Sequence, residues 1–247
     1  MKTRKYFLDF DGVICDSRAE CMITSYNAYR TVFFGSTRDC FEEKVIPEKD
    51  RELFVAYRYL VRIAEEYKLL WDLIFSKKVI SKDLPIYLQT KSDKESLDLF
   101  KKTYFEKRYL WMNHDLESWL MHNKLFDGIF EKVKDLNSNN LISIVSAKDE
   151  KSIRTILEFN EIHVPEKSIY GNEYGDKNDI LKKIIEFQDR QDIVFIDDNL
   201  DNVLTAKGFG IPSYLASWGY LSDGTLRNAE KEQVTVIDIE DFVRFHP

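Results

Sequence analysis

Cysteine, proline and glycine are scarce in this chain. Its 247 residues include only three cysteines, five prolines and nine glycines. So few residues that interrupt helices and strands argue against long disordered or low-complexity segments. The apolar content of 44% and the charged content of 32% are those of an ordinary globular protein. The length is sufficient for one large domain or two modest ones with a sizeable core.

Long apolar runs are lacking as well. No stretch approaches the roughly 18 residues that a membrane span needs. The basic start, Met1 to Lys5, leads only into a short strand-like run, so we expect neither a signal peptide nor a membrane partner. Cys15, Cys21 and Cys40 are odd in number and lack the spacing of a zinc site. We therefore expect free thiols in a cytoplasmic protein.

An excess of positive charge is also missing. The net charge is −7, and residues 17–119 hold 18 basic against 17 acidic residues, which leaves 18 against 26 in the remainder. Nucleic-acid binding depends on dense contacts between basic side chains and phosphates. The sequence therefore predicts no nucleic-acid partner.

The first half of the chain is predicted to be almost entirely helical. Apolar and aromatic residues recur at three- and four-residue spacing over 19–34, 47–76 and 92–112. A single long helix is expected over 48–75. Its apolar stripe indicates the core of a helix bundle and consists of Leu53, Tyr57, Leu60, Ala64, Tyr67 and Trp71.

After Leu125 the pattern changes to short apolar runs that alternate with helical stretches. The runs lie at 141–145, 168–170, 193–196 and 213–216, and a first strand is expected over 5–10. Such alternation is typical of βαβ units and a parallel sheet. We predict an α/β fold, with a Rossmann-like parallel-sheet core of residues 1–16 and 124–247 and an inserted all-helical domain of residues 17–123. A last strand and helix after Ser222 would close the core.

Three predicted strands end in polar residues. The first ends at Asp9 and Asp11, the second at Ser146-Ala147-Lys148, and a later one at Asp197-Asp198. Ligands of open parallel sheets bind beyond the carboxyl ends of the strands, so these groups are expected to meet at one edge. Neighbouring carboxylates repel each other, and a hard cation such as Mg²⁺ would relieve that repulsion.

Each of these features also has a purely structural interpretation. Asp11-Gly12 could form only a turn, Ser146 could cap the helix that follows it, and Lys177 in Gly-Asp-Lys-Asn could be a solvated lysine. Asp197-Asp198 is harder to explain in this way. Two acids that follow four apolar residues are expected to be buried, and burial of their charge is unfavourable unless they are paired or bind a metal.

Taken together, four motifs resemble those of the haloacid dehalogenase superfamily. They are Phe7-Leu8-Asp9-Phe10-Asp11-Gly12-Val13, Ile144-Val145-Ser146, Gly175-Asp176-Lys177-Asn178 and Ile193-Val194-Phe195-Ile196-Asp197-Asp198. Each motif is short, but their order, their spacing and the helical insert after the first are similar to that family. The insert resembles the helical cap of its phosphoglycolate phosphatase and β-phosphoglucomutase branch in position and character.

The resemblance implies a role for each motif. Asp9 would be the nucleophile that forms an aspartyl-phosphate, and Asp11 would be the general acid and base. Mg²⁺ would be held by the Asp9 carboxylate, the Asp11 carbonyl and Asp197, with Asp198 as a direct or water-mediated ligand. The phosphoryl group would be bound by Ser146, Lys177 and the backbone N–H groups of Phe10 and Ala147.

The expected function is therefore Mg²⁺-dependent hydrolysis of a small phosphorylated metabolite by a monomer or homodimer. Asp11 favours phosphate esters, because dehalogenases of this superfamily usually lack that second aspartate. Arginines of the cap, among them Arg51 and Arg58, are candidates to meet a second anionic group of the substrate. A phosphomutase of the same superfamily and a non-catalytic metabolite-binding protein remain as alternatives.

Overall fold

The structure is a computed structural model that describes residues 4–82 and 84–244. It divides into two compact units, Met1–Asp16 with Lys124–Pro247 and Ser17–Asn123. We call them the core unit and the helical unit. Their assignment as a catalytic core and a cap stays a prediction.

The described part of the core unit contains eight strands and six helices. The strands are β1 (Lys5–Leu8), β2 (Cys15–Asp16), β3 (Lys124–Leu125), β4 (Ile142–Val145), β5 (Ile169–Tyr170), β6 (Ile193–Asp197), β7 (Ser213–Ala216) and β8 (Thr235–Ile237). The helices of this unit are α7 (Ile129–Ser138), α8 (Glu150–Phe159), α9 (Lys177–Phe187), α10 (Leu200–Gly208), α11 (Asp223–Lys231) and α12 (Ile239–Arg244). The helices of the helical unit are described below.

Six strands form one parallel sheet in the order β5-β4-β1-β6-β7-β8. Strand β1 lies between β4 and β6, with Leu8 opposite both Ile144 and Ile196. Every residue of β4 and β6 is buried, as expected for central strands that are covered on both faces. Strands β2 and β3 form a separate antiparallel pair where the chain leaves and re-enters the core unit. These observations confirm the predicted α/β class with a parallel-sheet core and a helical insertion.

Side-chain caps fix where three helices begin behind the strands. Asp149, Asp176 and Asn199 accept hydrogen bonds from backbone N–H groups in the first turns of α8, α9 and α10. Each satisfies a donor that the helix itself leaves unpaired. Because α8 and α10 follow β4 and β6 directly, these caps set the path of the chain at the carboxyl ends of those strands.

The C-terminal segment closes the sheet much as the sequence predicts. Strand β8 pairs in parallel with β7, and Tyr214 lies opposite Thr235. Helix α12 follows, and its Phe242 is fully buried. Ala229 of helix α11 and Val234, which follows that helix, belong to a buried cluster with Val203 and Leu215.

The helical unit contains six α-helices in its described residues. They are α1 (Arg18–Phe34), α2 (Glu48–Tyr57), α3 (Glu66–Phe75), α4 (Ile86–Gln89), α5 (Lys94–His114) and α6 (Leu116–Met121). None of the helices in residues 4–82 and 84–244 is long and apolar enough to cross a membrane. Between α1 and α2, and between α3 and α5, only short helices occur, so the expectation of an almost entirely helical segment was too simple.

The predicted single helix over 48–75 is wrong. Helix α2 ends at Tyr57, a 3₁₀ turn covers Arg58–Leu60, and the chain is extended at Val61 before α3 begins at Glu66. Two buried charged side chains form hydrogen bonds with the backbone at this break, in place of the bonds of a continuous helix. Arg58 Nη1 donates to the Val61 carbonyl at 2.8 Å, and the Glu66 carboxylate accepts the Arg62 N–H at 2.6 Å.

The break also changes the predicted apolar stripe. Tyr67 and Trp71 are buried, whereas Leu53 and Tyr57 are only half-buried. Phe54, which lies outside the predicted stripe, is fully buried and stacks on the Trp71 ring at a centroid distance of 5.2 Å. Helices α2 and α3 therefore pack against each other as two separate helices.

A buried ion pair joins α1 to α5. Glu20 and Arg108 are 0% and 2% exposed, and their bidentate contact has N–O distances of 2.9 and 3.0 Å. Thr24 donates to Glu20 at 2.8 Å, and the Tyr104 hydroxyl contacts the Arg108 guanidinium. The network satisfies both charges inside the helical unit, as buried ions require.

We expect Arg108→Met to destabilise the protein by about 3–5 kcal/mol, because Glu20 would remain as a buried charge without its partner. The double variant Glu20→Met/Arg108→Met should lose less than the sum of the two single changes. Urea unfolding measures these differences. The exposed Lys102–Glu106 pair on the same helix is the matched control, and its loss should cost less than about 1 kcal/mol. Equal costs for the two pairs would contradict the prediction.

Candidate active site

The carboxyl ends of β1, β4 and β6 bring the predicted site residues to one edge of the sheet. Asp9 follows β1, Ser146 follows β4, and Asp197 is the last residue of β6. The ladder continues into these residues, since the Asp9 N–H donates to Ile196 at 2.9 Å and the Ser146 N–H donates to Tyr170 at 3.0 Å. The positions of their side chains are therefore set by strand pairing.

Asp9 is a buried carboxylate with two strong partners. Its side chain accepts a hydrogen bond from the Phe10 N–H at 2.7 Å, and its Oδ2 lies 2.7 Å from Lys177 Nζ. Burial raises the pKa of Asp9 to about 7 although Lys177 lowers it, and Asp197 adds to the increase. The Phe10 N–H, predicted as a phosphoryl donor, is thus bonded to Asp9 here.

Lys177 is the first residue of α9 and connects two acids. Its Nζ lies 2.7 Å from Asp9 Oδ2 and 2.8 Å from Asp197 Oδ2, with the side chain only 11% exposed. Burial lowers the pKa of Lys177, but Asp197 and Asp9 outweigh that effect and hold it above its ordinary value. The interpretation of Lys177 as a solvated lysine is therefore wrong.

Asp197 is fully buried and has partners on both oxygens. Oδ1 accepts the Asn199 N–H at 2.7 Å, and Oδ2 accepts bonds from Lys177 and from Asn202 Nδ2 at 2.9 Å. Asn202 lies one turn into α10, so the helix after β6 orients the acid at the end of that strand. Asn202 lies outside the four sequence motifs.

Asp198 is packed between two glycines. Its Oδ2 accepts the Tyr220 N–H at 2.7 Å, which ties it to the loop after β7. A Cβ on Gly12 would lie 2.0 Å from that oxygen, and one on Gly219 would lie 2.2 Å from the Asp198 Cβ. Gly12 also has a φ of +90°, a conformation that favours glycine.

Three of these acids could hold a cation together. Asp9, Asp197 and Asp198 are buried, and each offers a carboxylate oxygen such that all three oxygens lie within 4.8 Å of one another. Hard oxygen ligands of this kind suit Mg²⁺. The carboxylate of Asp11 lies outside this group, and its predicted contribution was the main-chain carbonyl.

The charges of the site do not balance. The groups described above comprise four acids and two ammonium groups: Asp9, Asp11, Asp197, Asp198, Lys148 and Lys177. Full ionisation of the four acids would leave an excess of two negative charges in a mostly buried space, which is unfavourable without a counterion or a bound proton. A divalent cation would cancel it, so the residues present fit Mg²⁺.

The loop after β4 carries Ser146, Ala147 and Lys148. Ser146 is buried and accepts the Lys148 N–H at 3.2 Å. The interpretation of Ser146 as a helix cap is wrong, because Asp149 caps α8 by accepting the Ser152 N–H at 2.8 Å. Ala147 is half-buried between them.

Lys148 is a further site residue, which none of the four motifs includes. Its side chain is fully buried, and its Nζ lies 3.3 Å from Asp11 Oδ1. A lysine directly after Ser146-Ala147 at a predicted strand end was a usable signal, because a buried ammonium there needs acidic partners.

The three free cysteines take no part in this cluster. Cys15 and Cys21 are buried, and Cys15 pairs with Leu125 in the two-stranded sheet.

The sequence matches the haloacid dehalogenase-like hydrolase family over residues 5–210. The chain therefore belongs to that family, and the resemblance drawn from the four motifs is confirmed. Comparison with the curated proteins finds no significant sequence match.

Solved structures share the fold at low sequence identity. A predicted phosphoglycolate phosphatase of Haemophilus somnus has 13% identity and a TM-score of 0.61, with 99% of this chain and 98% of that chain covered. A predicted phosphatase of Clostridium acetobutylicum has 18% identity and a TM-score of 0.60, with 98% and 97% covered. A haloacid dehalogenase-like hydrolase of Streptococcus pneumoniae has 20% identity and a TM-score of 0.57, with 96% and 94% covered.

We expect Gly12→Ala to be strongly destabilising, because the new methyl group would overlap Asp198 Oδ2 and the backbone would hold an alanine at positive φ. Gly35→Ala is the matched control, since Gly35 has a φ of +64° but no neighbour within 4 Å. The free energy of unfolding of Gly35→Ala should fall only by the cost of holding an alanine at positive φ, about 1 kcal/mol. Chemical denaturation compares the two, and similar losses would show that the contact with Asp198 is unimportant.

The metal-free protein should become less stable as the pH rises from about 4 to about 7, because folded Asp9 keeps a proton that the unfolded chain has released. Mg²⁺ would take the place of that proton, so it should raise the melting temperature more at about pH 8 than at about pH 5. Thermal unfolding with Mg²⁺ or a chelator measures this difference.

Asp9→Asn is the control for that experiment, because it removes the titrating group and should flatten the pH dependence of the Mg²⁺ effect. An equal Mg²⁺ effect at both pH values in the unaltered protein would contradict the prediction.

Proposed function

We propose that this protein is a Mg²⁺-dependent phosphatase that hydrolyses small phosphorylated metabolites through an aspartyl-phosphate on Asp9. The observation that carries the proposal is the contact of Lys177 with both Asp9 and Asp197 inside a buried group of acids. Membership of a hydrolase family supports it. The names of two structural neighbours, a predicted phosphoglycolate phosphatase and a predicted phosphatase, point in the same direction.

Asp9 forms the covalent bond to phosphorus, and Asp11 carries out the proton transfers. In the first half-reaction an Asp9 oxygen bonds to phosphorus, the bond from phosphorus to the leaving oxygen breaks, and Asp11 gives that oxygen a proton. In the second half-reaction a water oxygen attacks phosphorus, its proton moves to Asp11, and Asp9 is released. The sum is ester plus water to alcohol plus phosphate, with both aspartates restored.

The neighbouring residues bind and orient the phosphoryl group. Lys177 would offset negative charge near Asp9. The Ser146 hydroxyl and the Ala147 N–H, which follow β4, would donate to phosphoryl oxygens. Mg²⁺, held by Asp9, the Asp11 carbonyl and Asp197, with Asp198 as a direct or water-mediated ligand, would neutralise charge that develops on the phosphoryl oxygens.

We also propose a role for each of the two units. The core unit would carry the chemistry, and the helical unit would be the cap domain of this family. The free thiols support a cytoplasmic location. We propose a monomer or a homodimer.

The test is phosphate release from a panel of phosphorylated metabolites and p-nitrophenyl phosphate, with Mg²⁺ or with a chelator. We expect release that requires the metal, and a loss of at least about a thousandfold in Asp9→Asn, because that variant lacks the nucleophile. Acid quenching during turnover should trap phosphate on the unaltered protein and none on Asp9→Asn.

Two other outcomes would overturn the proposal. Transfer of the trapped phosphate to a second hydroxyl of a sugar phosphate, with little free phosphate, would make the protein a phosphomutase. Saturable binding of a phosphometabolite without any turnover, in folded and Mg²⁺-loaded protein, would make it a binding protein. Lys151→Met, on the exposed face of α8, serves as the surface control and should retain full activity.

A further inference from the structure

We infer that Lys148 is a positioning residue that holds the carboxyl group of Asp11 in place for its proton transfers. The inference rests on the proposed function, in which Asp11 is the acid and base. It assigns Lys148 a task separate from that of Lys177, which contacts Asp9 and Asp197.

The contact is specific to one oxygen of Asp11. Lys148 Nζ lies 3.3 Å from Asp11 Oδ1, and that oxygen is buried without a hydrogen-bond partner in the described chain. The charge of Lys148 is therefore the interaction that fixes Oδ1. Because the Asp11 side chain is 16% exposed while Oδ1 is not, the exposed part lies on its other atoms. This leaves Oδ2 as the oxygen that can carry the proton.

The backbone around Lys148 is held on both sides. Its N–H donates to Ser146 Oγ at 3.2 Å, and its carbonyl accepts the Asn172 N–H at 3.2 Å. A Cβ on Gly171 would lie 2.9 Å from that carbonyl, so only glycine permits this approach. A lysine side chain that is fully buried on such a backbone has lost most of its freedom, and its charge acts from a fixed point.

A fixed ammonium group helps the acid in two ways. It orients the carboxyl group, and misplacement of a catalytic group by about 1 Å can cost about a hundredfold in rate. It also stabilises the negative charge that develops on Asp11 as the proton moves to the leaving oxygen. Both effects matter most for esters whose alcohol is a poor leaving group, because those esters depend on protonation.

The experiment measures kcat and KM for Lys148→Met with a series of aryl phosphates of graded leaving-group acidity and one alkyl phosphate. We expect kcat/KM, which reports formation of the aspartyl-phosphate, to fall by about tenfold or more for the alkyl ester and by less than about threefold for p-nitrophenyl phosphate. Lys148→Arg, which keeps the charge, should recover part of the alkyl-ester rate. An equal loss of kcat/KM over the whole series would overturn the inference, because it would place Lys148 on the phosphoryl group.

A double-mutant cycle with Asp11→Asn is a second test of the inference. If Lys148 acts through Asp11, adding Lys148→Met to Asp11→Asn should change kcat for the alkyl ester by less than about twofold. Independent, multiplicative losses would overturn the inference. The double variant also removes both charges together and so avoids leaving one buried ion alone, which helps it fold.

The two proposals can fail separately. If the unaltered protein hydrolyses no ester, the proposed phosphatase function fails first. If it hydrolyses esters and Asp11→Asn slows them, but the cycle is additive, only the role of Lys148 fails. Should Lys148→Met not fold, Lys148→Arg and the double variant carry the same comparison, with circular dichroism as the check on folding.

Discussion

The rest of the core unit depends on one constraint: three acidic side chains are buried at one edge of a parallel sheet, and a fourth, Asp11, is partly buried beside them. Carboxylates removed from water are stable only with partners that compensate the lost hydration. Lys177 serves Asp9 and Asp197, Lys148 serves Asp11, and backbone N–H groups serve Asp197 and Asp198. The partners come from four different connections between strands, so the strands and helices that carry them must be placed together.

The parallel sheet makes this concentration of charge possible. In such a sheet all carboxyl ends lie on one side, so the residues that follow β1, β4 and β6 converge without long loops. The convergence in turn restricts the backbone. Gly12 and Gly219 both border Asp198 at distances that no Cβ could occupy. Glycine is scarce in this chain, and two of the nine lie at this point.

Much of this arrangement could be predicted from the sequence, because it depends on local patterns. Apolar runs that end in Asp9 and Asp197 identify both strands and the polar edge, and the structure brings those residues together. The break at Arg58 was missed because local periodicity cannot show that two charged side chains turn inward and bond to the backbone. The contact of Lys148 with Asp11 was missed for a different reason: the sequence placed both residues at one edge of the sheet, but none of the motifs gives a role to the lysine after Ser146-Ala147.

The two units use buried charge in opposite ways. In the helical unit, Glu20 and Arg108 form a closed bidentate pair with equal and opposite charges, and Thr24 and Tyr104 complete the network. Nothing in that balance requires a ligand, and its effect is to join two helices. At the strand ends of the core unit, four acids lie near two ammonium groups, and Asp9, Asp197 and Asp198 lie together. A chain that balances charge so completely in one place, yet carries an excess of acids in another, favours a cation at the second place.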